Sequence, residues 1–158
     1  MQFIQMYTNA INNILGRSPI TRPYFTGCFA ADKIPSILEY PCCMVVNTDC
    51  SGWEGSHWVA IFAQSKQTVE YYDSLGQWPP ISPYITKFLD QFPNRVYNSK
   101  QLQADHSVSC GKHAIYFLYM RCLGSISGID DMIKLFSKRK QRPDAIVNDF
   151  VRRLMDIQ

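Results

Sequence analysis

The chain has 158 residues, a formal charge of +3, and 46% apolar, 18% charged and 13% aromatic residues. That is room for a single domain, residues 1–158, with one core, and it excludes a disordered chain. No apolar run nears the ~20 residues that span a bilayer, and so small a charge does not by itself argue for nucleic acid.

Along the chain, Phe3, Tyr7, Ala10, Ile11 and Ile14 recur at helical spacing until Gly16 and Ser18-Pro19 stop the helix. The start, Met1 to Tyr7, lacks the basic and apolar regions of a secretory signal, and no Asn-x-Ser/Thr acceptor occurs. A cell-interior protein is expected. Arg22 to Pro35 reads as a loop-like connector punctuated by Pro23, Gly27 and Pro35. Cys42 to Asn47 is an apolar run that fits a buried strand, and Thr48 to Ser56 a polar loop. His57 to Ala63 and Thr68 to Asp73 predict a hairpin, with β-branched and aromatic residues in both arms.

After a Pro-containing loop from Leu75-Gly76, Ser82 fits an N-cap and Pro83 the first turn of a helix carrying Ile85, Phe88, Leu89 and Phe92. Arg95 to Gln103 predicts one or two short strand segments around Val96-Tyr97 and Gln101-Leu102. Cys110 to Cys122 is apolar nearly all round, the mark of a buried central helix. Helices over Ile129 to Phe136 and Pro143 to Ile157 follow, the latter with Ile146, Val147, Phe150 and Leu154 inward. Helix, small sheet, then helices makes an α+β fold, a mixed sheet packed on that central helix.

The six cysteines are Cys28, Cys42, Cys43, Cys50, Cys110 and Cys122. A core of this size needs no disulfide staples, and Cys42 and Cys43, adjacent in a strand, point to opposite faces. Cys42, Cys43, Cys50 and His57 have no recognised zinc spacing, so no metal or cofactor is expected. Most of these thiols read as small buried apolar side chains in a reducing compartment. Lys134, Lys138, Arg139, Lys140 and Arg142 fall together without an intervening acid, a solvated face or, in the sharper reading, a DNA or phosphate contact.

The chemistry concentrates at Ser107 to Tyr116. Cys110 stands where a polar loop becomes an apolar helix, over unpaired N–H groups and the positive helix end, both of which favour thiolate. A hydrolase must supply such a setting, because a free thiol is only a few per cent ionised near neutrality. His57 heads one strand and suits a base; Asp73 ends the next and can orient the far ring nitrogen. Gln103, seven residues before Cys110, can bring its amide beside the thiolate and form an oxyanion hole with the N–H of Cys110. Gly111 permits close approach of substrate backbone. His113, one turn from Cys110 on the same helix, is expected to be structural or at the rim, and His106, in the loop before the nucleophile, is a rival base that is not favoured. Singly, each residue has an ordinary structural explanation; the order His, Asp, Gln, Cys at fitting element boundaries is what points to a cysteine peptidase.

These residues resemble the adenain-type cysteine proteases, the adenovirus maturation protease and its relatives in virophages and Polinton/Maverick elements, which share a wider fold with the SUMO- and NEDD8-specific proteases. The resemblance rests on Pro23-Tyr24-Phe25-Thr26-Gly27 with Phe29 and Pro35, on Met44 to Thr48 followed by Gly55-Ser56-His57-Trp58, on Tyr71 to Gly76, and on Gln103 through Cys110-Gly111. It implies a papain-like thiol protease with His57, Asp73 and Cys110 as triad, Gln103 as oxyanion residue and Trp58 beside the substrate. It further implies cleavage of capsid or virion precursors at small, often glycine, residues, within a virion or the infected cell. Adenovirus enzymes carry Glu where this chain has Asp73, and they take a disulfide-linked peptide and DNA as activators. Phe92 to Gln103 holds no cysteine, which argues against a covalent activator there, and leaves Lys134 to Arg142 as the surface for DNA. The rival readings are an isopeptidase for ubiquitin-like tails, an inactive protease-fold capsid component, and a DNA-binding protein.

Overall fold

The computed structural model describes residues 2–37, 39–53 and 56–157, the first six of these by backbone alone. The elements are α1 (Gln2–Arg17), β1 (Phe25–Phe29), β2 (Cys42–Asn47), β3 (Trp58–Ala63), β4 (Thr68–Tyr72), α2 (Pro83–Leu89), β5 (Asn94–Tyr97), α3 (Cys110–Leu123), α4 (Ile129–Ser137) and α5 (Pro143–Ile157). The strands form one mixed sheet in the order β1-β2-β3-β4-β5. β1 runs parallel to β2 and β5 parallel to β4, while the two inner pairings are antiparallel. This is the expected α+β arrangement, a small mixed sheet against a buried helix that begins at Cys110.

β2 and β3 are buried on both faces, which explains why they read as continuous apolar runs rather than as alternation. Alternate residues serve two cores. Cys43, Val45, Trp58, Ala60, Phe62 and Tyr72 pack with α1, α3, α4 and α5 on one side. Met44, Val46, Val59, Ile61, Val69 and Tyr71 pack with α2 on the other. Cys42 and Cys43 accordingly face opposite cores.

Helix α3 lies between the sheet and α5, with Phe117 and Leu118 wholly buried. Tyr72 stacks on Phe117 at 4.9 Å between ring centroids. Truncating a side chain like Phe117 costs about 3–5 kcal/mol, so α3 has no freedom to slide. Its far end is clamped as well. Arg121 Nε donates to the buried Glu70 of β4 at 3.0 Å, and its guanidinium covers the Phe62 ring at 4.3 Å. At the start of α2, the side chain of Ser82 accepts the N–H of Ile85, as its N-cap reading required.

Two expectations fail. Arg22 to Pro35 is not simply a connector, because Phe25–Phe29 forms the edge strand β1. Gly27 adopts φ 140° inside a register shift between Phe25 and Cys28. A glycine in a strand commonly marks such a bulge, and in sequence it passes for a turn. Gln101-Leu102 is not a strand: the N–H groups of Leu102 and Gln103 both converge on the carbonyl of Ser74 instead of forming a ladder. The side chains of Phe3 and Tyr7, and all of Met1 and Gly55, lie outside the described residues.

Candidate active site

Cys110 is the first residue of α3, half-buried, with Ser109 at the N-cap. Its sulfur feels the ring of His57 and the backbone N–H groups of Trp58 and Gly111. Burial pushes the thiol up. The His57 bond, the two N–H groups and the charge of His57 outweigh that, and hold it below its ordinary value of 9.0.

His57 stands immediately before β3, and its carbonyl accepts the N–H of Thr48 at 2.9 Å. The β2–β3 ladder therefore fixes the backbone from which the ring projects. Its Nε2 lies 2.6 Å from Asp73 Oδ1, which leaves Nδ1 for the sulfur of Cys110. Burial pulls the imidazole down, but the bonds to Asp73 and Cys110 and their negative charges reverse this and carry it to about 9. A depressed thiol and an elevated imidazole describe one thing. Both shifts favour the thiolate–imidazolium form of the pair.

Asp73, one residue beyond β4, is buried and doubly held. Its Oδ1 also accepts the N–H of Leu75 at 2.8 Å. Its backbone is gripped by Asn98, whose Oδ1 accepts the Asp73 N–H at 3.0 Å and whose Nδ2 donates to the Asp73 carbonyl at 2.6 Å. Asn98 is itself 2% exposed. The turn closes with Gly76 N–H on the Asp73 carbonyl. At Gly76, φ is 70° and a Cβ would sit 2.7 Å from the Lys100 carbonyl carbon. Only glycine lets this turn lie against the segment leading to Gln103.

Gln103 is buried with its amide fixed at both ends. Oε1 accepts from Ser74 Oγ at 2.6 Å, and Nε2 donates to the Ser107 carbonyl at 2.8 Å. The reverse orientation would set two acceptors against each other at Ser107. One N–H of Nε2 remains without a partner among the described residues, available to an oxyanion. The turn that holds Asp73 is thus welded to the residue that can hold the oxyanion.

The other candidates fall at varying distances. The Trp58 side chain is largely buried in the α3-side core and borders a cavity of ≈ 160 Å³ shared with Cys28, Phe29, Asn47 and Trp53. Its contact with Cys110 is through its backbone. Gly111 is buried, and its N–H serves the sulfur. His106 is exposed, with φ 61°, in the turn that Ser107 N–H closes on Ala104. His113 is wholly buried and points away from the sulfur, to Tyr72 and Asp144. Cys42, Cys43, Cys50 and His57 do not converge, since Cys42 and Cys43 are divided by the sheet. Lys134, Lys138, Arg139, Lys140 and Arg142 are all exposed, at the end of α4 and in the turn before α5.

Sequence reasoning missed Asn98, Ser74 and Asp144. Asn98 and Asp144 act across 25 or more residues of chain, and no local spacing announces them. Ser74 sits beside Asp73, and that adjacency is the one signal that could have found it.

No protein-family model and no curated protein matches the sequence. Among solved structures, the ASFV pS273R protease is similar over 55% of this chain and 37% of its own, with 24% identity and a TM-score of 0.38. ChlaDub1 from Chlamydia trachomatis is similar over 97% of this chain and 75% of its own, with 14% identity and a TM-score of 0.45. The chain therefore spans little more than a third of the length of the first of them. Likenesses this loose leave the chemistry of the site to rest on its own geometry.

Proposed function

We propose that this chain is a cysteine peptidase, with Cys110 as nucleophile, His57 as acid and base, Asp73 as orienting acid and Gln103 as oxyanion donor. One observation carries the reading: a single imidazole is hydrogen-bonded to a buried carboxylate and raised further by a thiol at a helix N-terminus. The thiolate attacks the scissile carbonyl carbon. The resulting oxyanion accepts from the free N–H of Gln103 and from the N–H of Cys110, which like every first-turn amide has no acceptor within its helix. Imidazolium Nδ1–H then protonates the leaving amine, and the same nitrogen, now neutral, takes a proton from the water that hydrolyses the thioester. Asp73 keeps the Nε2–H in place throughout and stays ionised.

The substrate assigned by the sequence resemblance is a capsid or virion precursor of a virus or mobile element, cut where small residues such as glycine flank the bond. The place of action is then a virion or the interior of an infected cell; among the described residues no helix is long and apolar enough to cross a membrane. The exposed run from Lys134 to Arg142 is the surface on which DNA would act. Co-expression with candidate capsid precursors, followed by sequencing of new N-termini, tests the substrate. Cleavage lost in Cys110→Ala supports it, whereas cleavage of ubiquitin-like tails alone would replace it with an isopeptidase. Stimulation by DNA that fades steeply with salt supports the polyanion contact, and none at low salt removes it.

A further inference from the structure

A second histidine–carboxylate pair lies behind the nucleophile. His113 Nε2 is 2.7 Å from Asp144 Oδ1, and its Nδ1 is 3.2 Å from the Tyr72 hydroxyl. Asp144 belongs to the first turn of α5. The same carboxylate accepts from Ser109 Oγ at 2.8 Å and from the Ala104 N–H at 3.1 Å. Ser109 Oγ lies 2.7 Å from Ser107 Oγ, and the Ser107 carbonyl aims Gln103, whose other end is held by Ser74.

Traced in full, these bonds leave the chain at Tyr72 and rejoin it at Ser74, the two neighbours of Asp73. They form a closed circuit around the loop from residue 104 to 109. Ser109 shows the circuit's priority over local structure: as N-cap it makes no side-chain bond to its own helix and gives its hydroxyl to Asp144. Neutral His113 satisfies both neighbours, Nε2–H donating to Asp144 and Nδ1 accepting from Tyr72.

We infer that Asp144, braced by His113, is the positioning residue for the oxyanion side of the Cys110 site, fixing the 104–109 loop and through it the aim of Gln103. This rests on the cysteine-peptidase reading. No hydrogen bond of the circuit reaches His57 or the sulfur, so its hydrogen bonds serve stabilisation of a tetrahedral oxyanion rather than formation of the thiolate. Errors of about 1 Å in such a donor cost on the order of a hundred-fold.

Two reagents separate the roles without a known substrate. Iodoacetamide alkylates Cys110 by displacement at carbon and needs only the thiolate. With p-nitrophenyl acetate the thiolate attacks the carbonyl, the C–S bond forms through an oxyanion, and the C–O bond breaks to release p-nitrophenolate. Both rates are measured on the full chain and corrected with Cys110→Ala. In Asp144→Ala and His113→Phe, acylation should fall roughly ten- to a hundred-fold while alkylation stays within about two-fold. His113→Gln, which keeps a donor for Asp144, should restore most of the acylation. If Asp144→Ala fails to fold, Asp144→Asn takes its place, with a loss of several-fold expected. An unchanged ratio of the two rates, whether both hold or both fall, overturns the inference and leaves the peptidase reading standing. Wild-type Cys110 reacting no faster than Cys28 with either reagent overturns both.

Discussion

The two histidine–aspartate pairs have nearly the same geometry, 2.6 Å for His57–Asp73 and 2.7 Å for His113–Asp144, yet their imidazoles are driven in opposite directions. His57 rises to about 9. His113 falls below its ordinary value, because burial outweighs the pull of Asp144 and the charge of His57 adds to the fall. The difference lies in the third partner. His57 faces a thiol that can become an anion, whereas His113 faces the hydroxyl of Tyr72, itself pushed far above its ordinary range by burial. Burial opposes the carboxylate at both rings, and only at His57 does a second ionisable acid, the Cys110 thiol, add to the rise.

The largest effect should come from removing the charged ring. His57→Ala should lower peptide turnover by roughly a million-fold, the scale at which a catalytic base acts in serine peptidases, and slow iodoacetamide labelling of Cys110 at neutral pH. His113→Gln, by contrast, should leave labelling near wild type. Equal losses in both variants, measured by mass spectrometry of the labelled peptide, would erase the contrast between the pairs. Asp73→Asn comes next. Loss of ring orientation should cost up to ~10⁴ in kcat with the fold retained by circular dichroism.

Gly76→Ala attacks the turn that carries one pair and spares the other. Its Cβ would meet the backbone of Lys100 and Gln101 at a positive φ, so a loss of about 1–3 kcal/mol in denaturant unfolding is expected, with turnover reduced beyond what unfolding explains. Activity should fall as pH rises through about 9, where His57 gives up its proton, and a rate that stays flat to higher pH would show the imidazolium is not needed.

The smallest effects are in the pH dependence of stability. His57 binds its proton more tightly folded than unfolded, so its contribution is complete below pH 6.5 and is lost between 6.5 and about 9. His113 resists protonation when folded, so its contribution stands above pH 6.5 and is lost as pH falls below that value. Urea titrations at several pH values should show the alkaline decline flattened in His57→Ala and the acid decline flattened in His113→Gln.

The pair around Cys110 is legible in the amino-acid sequence because each member sits at a change of local pattern. Apolar helix begins at Cys110, β-branched hairpin begins after His57, and a turn follows Asp73. Such changes are written within a few residues. The pair around Asp144 is not legible in this way. Its contacts with Ala104, Ser109 and His113 join positions 31 to 40 residues apart, and an aspartate after Pro143 looks like ordinary helix-start chemistry. Asn98 is hidden for the same reason. β1 escapes sequence reading because Gly27 serves a bulge inside an edge strand, where propensity alone favours a break.

The circuit through Asp144 has a consequence for the order of biosynthesis. Ser109 waits for an anchor encoded 35 residues downstream, so a nascent chain possesses its thiol, imidazole and acid well before the loop beside them can be tensioned. The acylation proposed for this site should therefore arrive late in translation, only once α5 is made and its Ile146, Val147 and Val151 have joined the core.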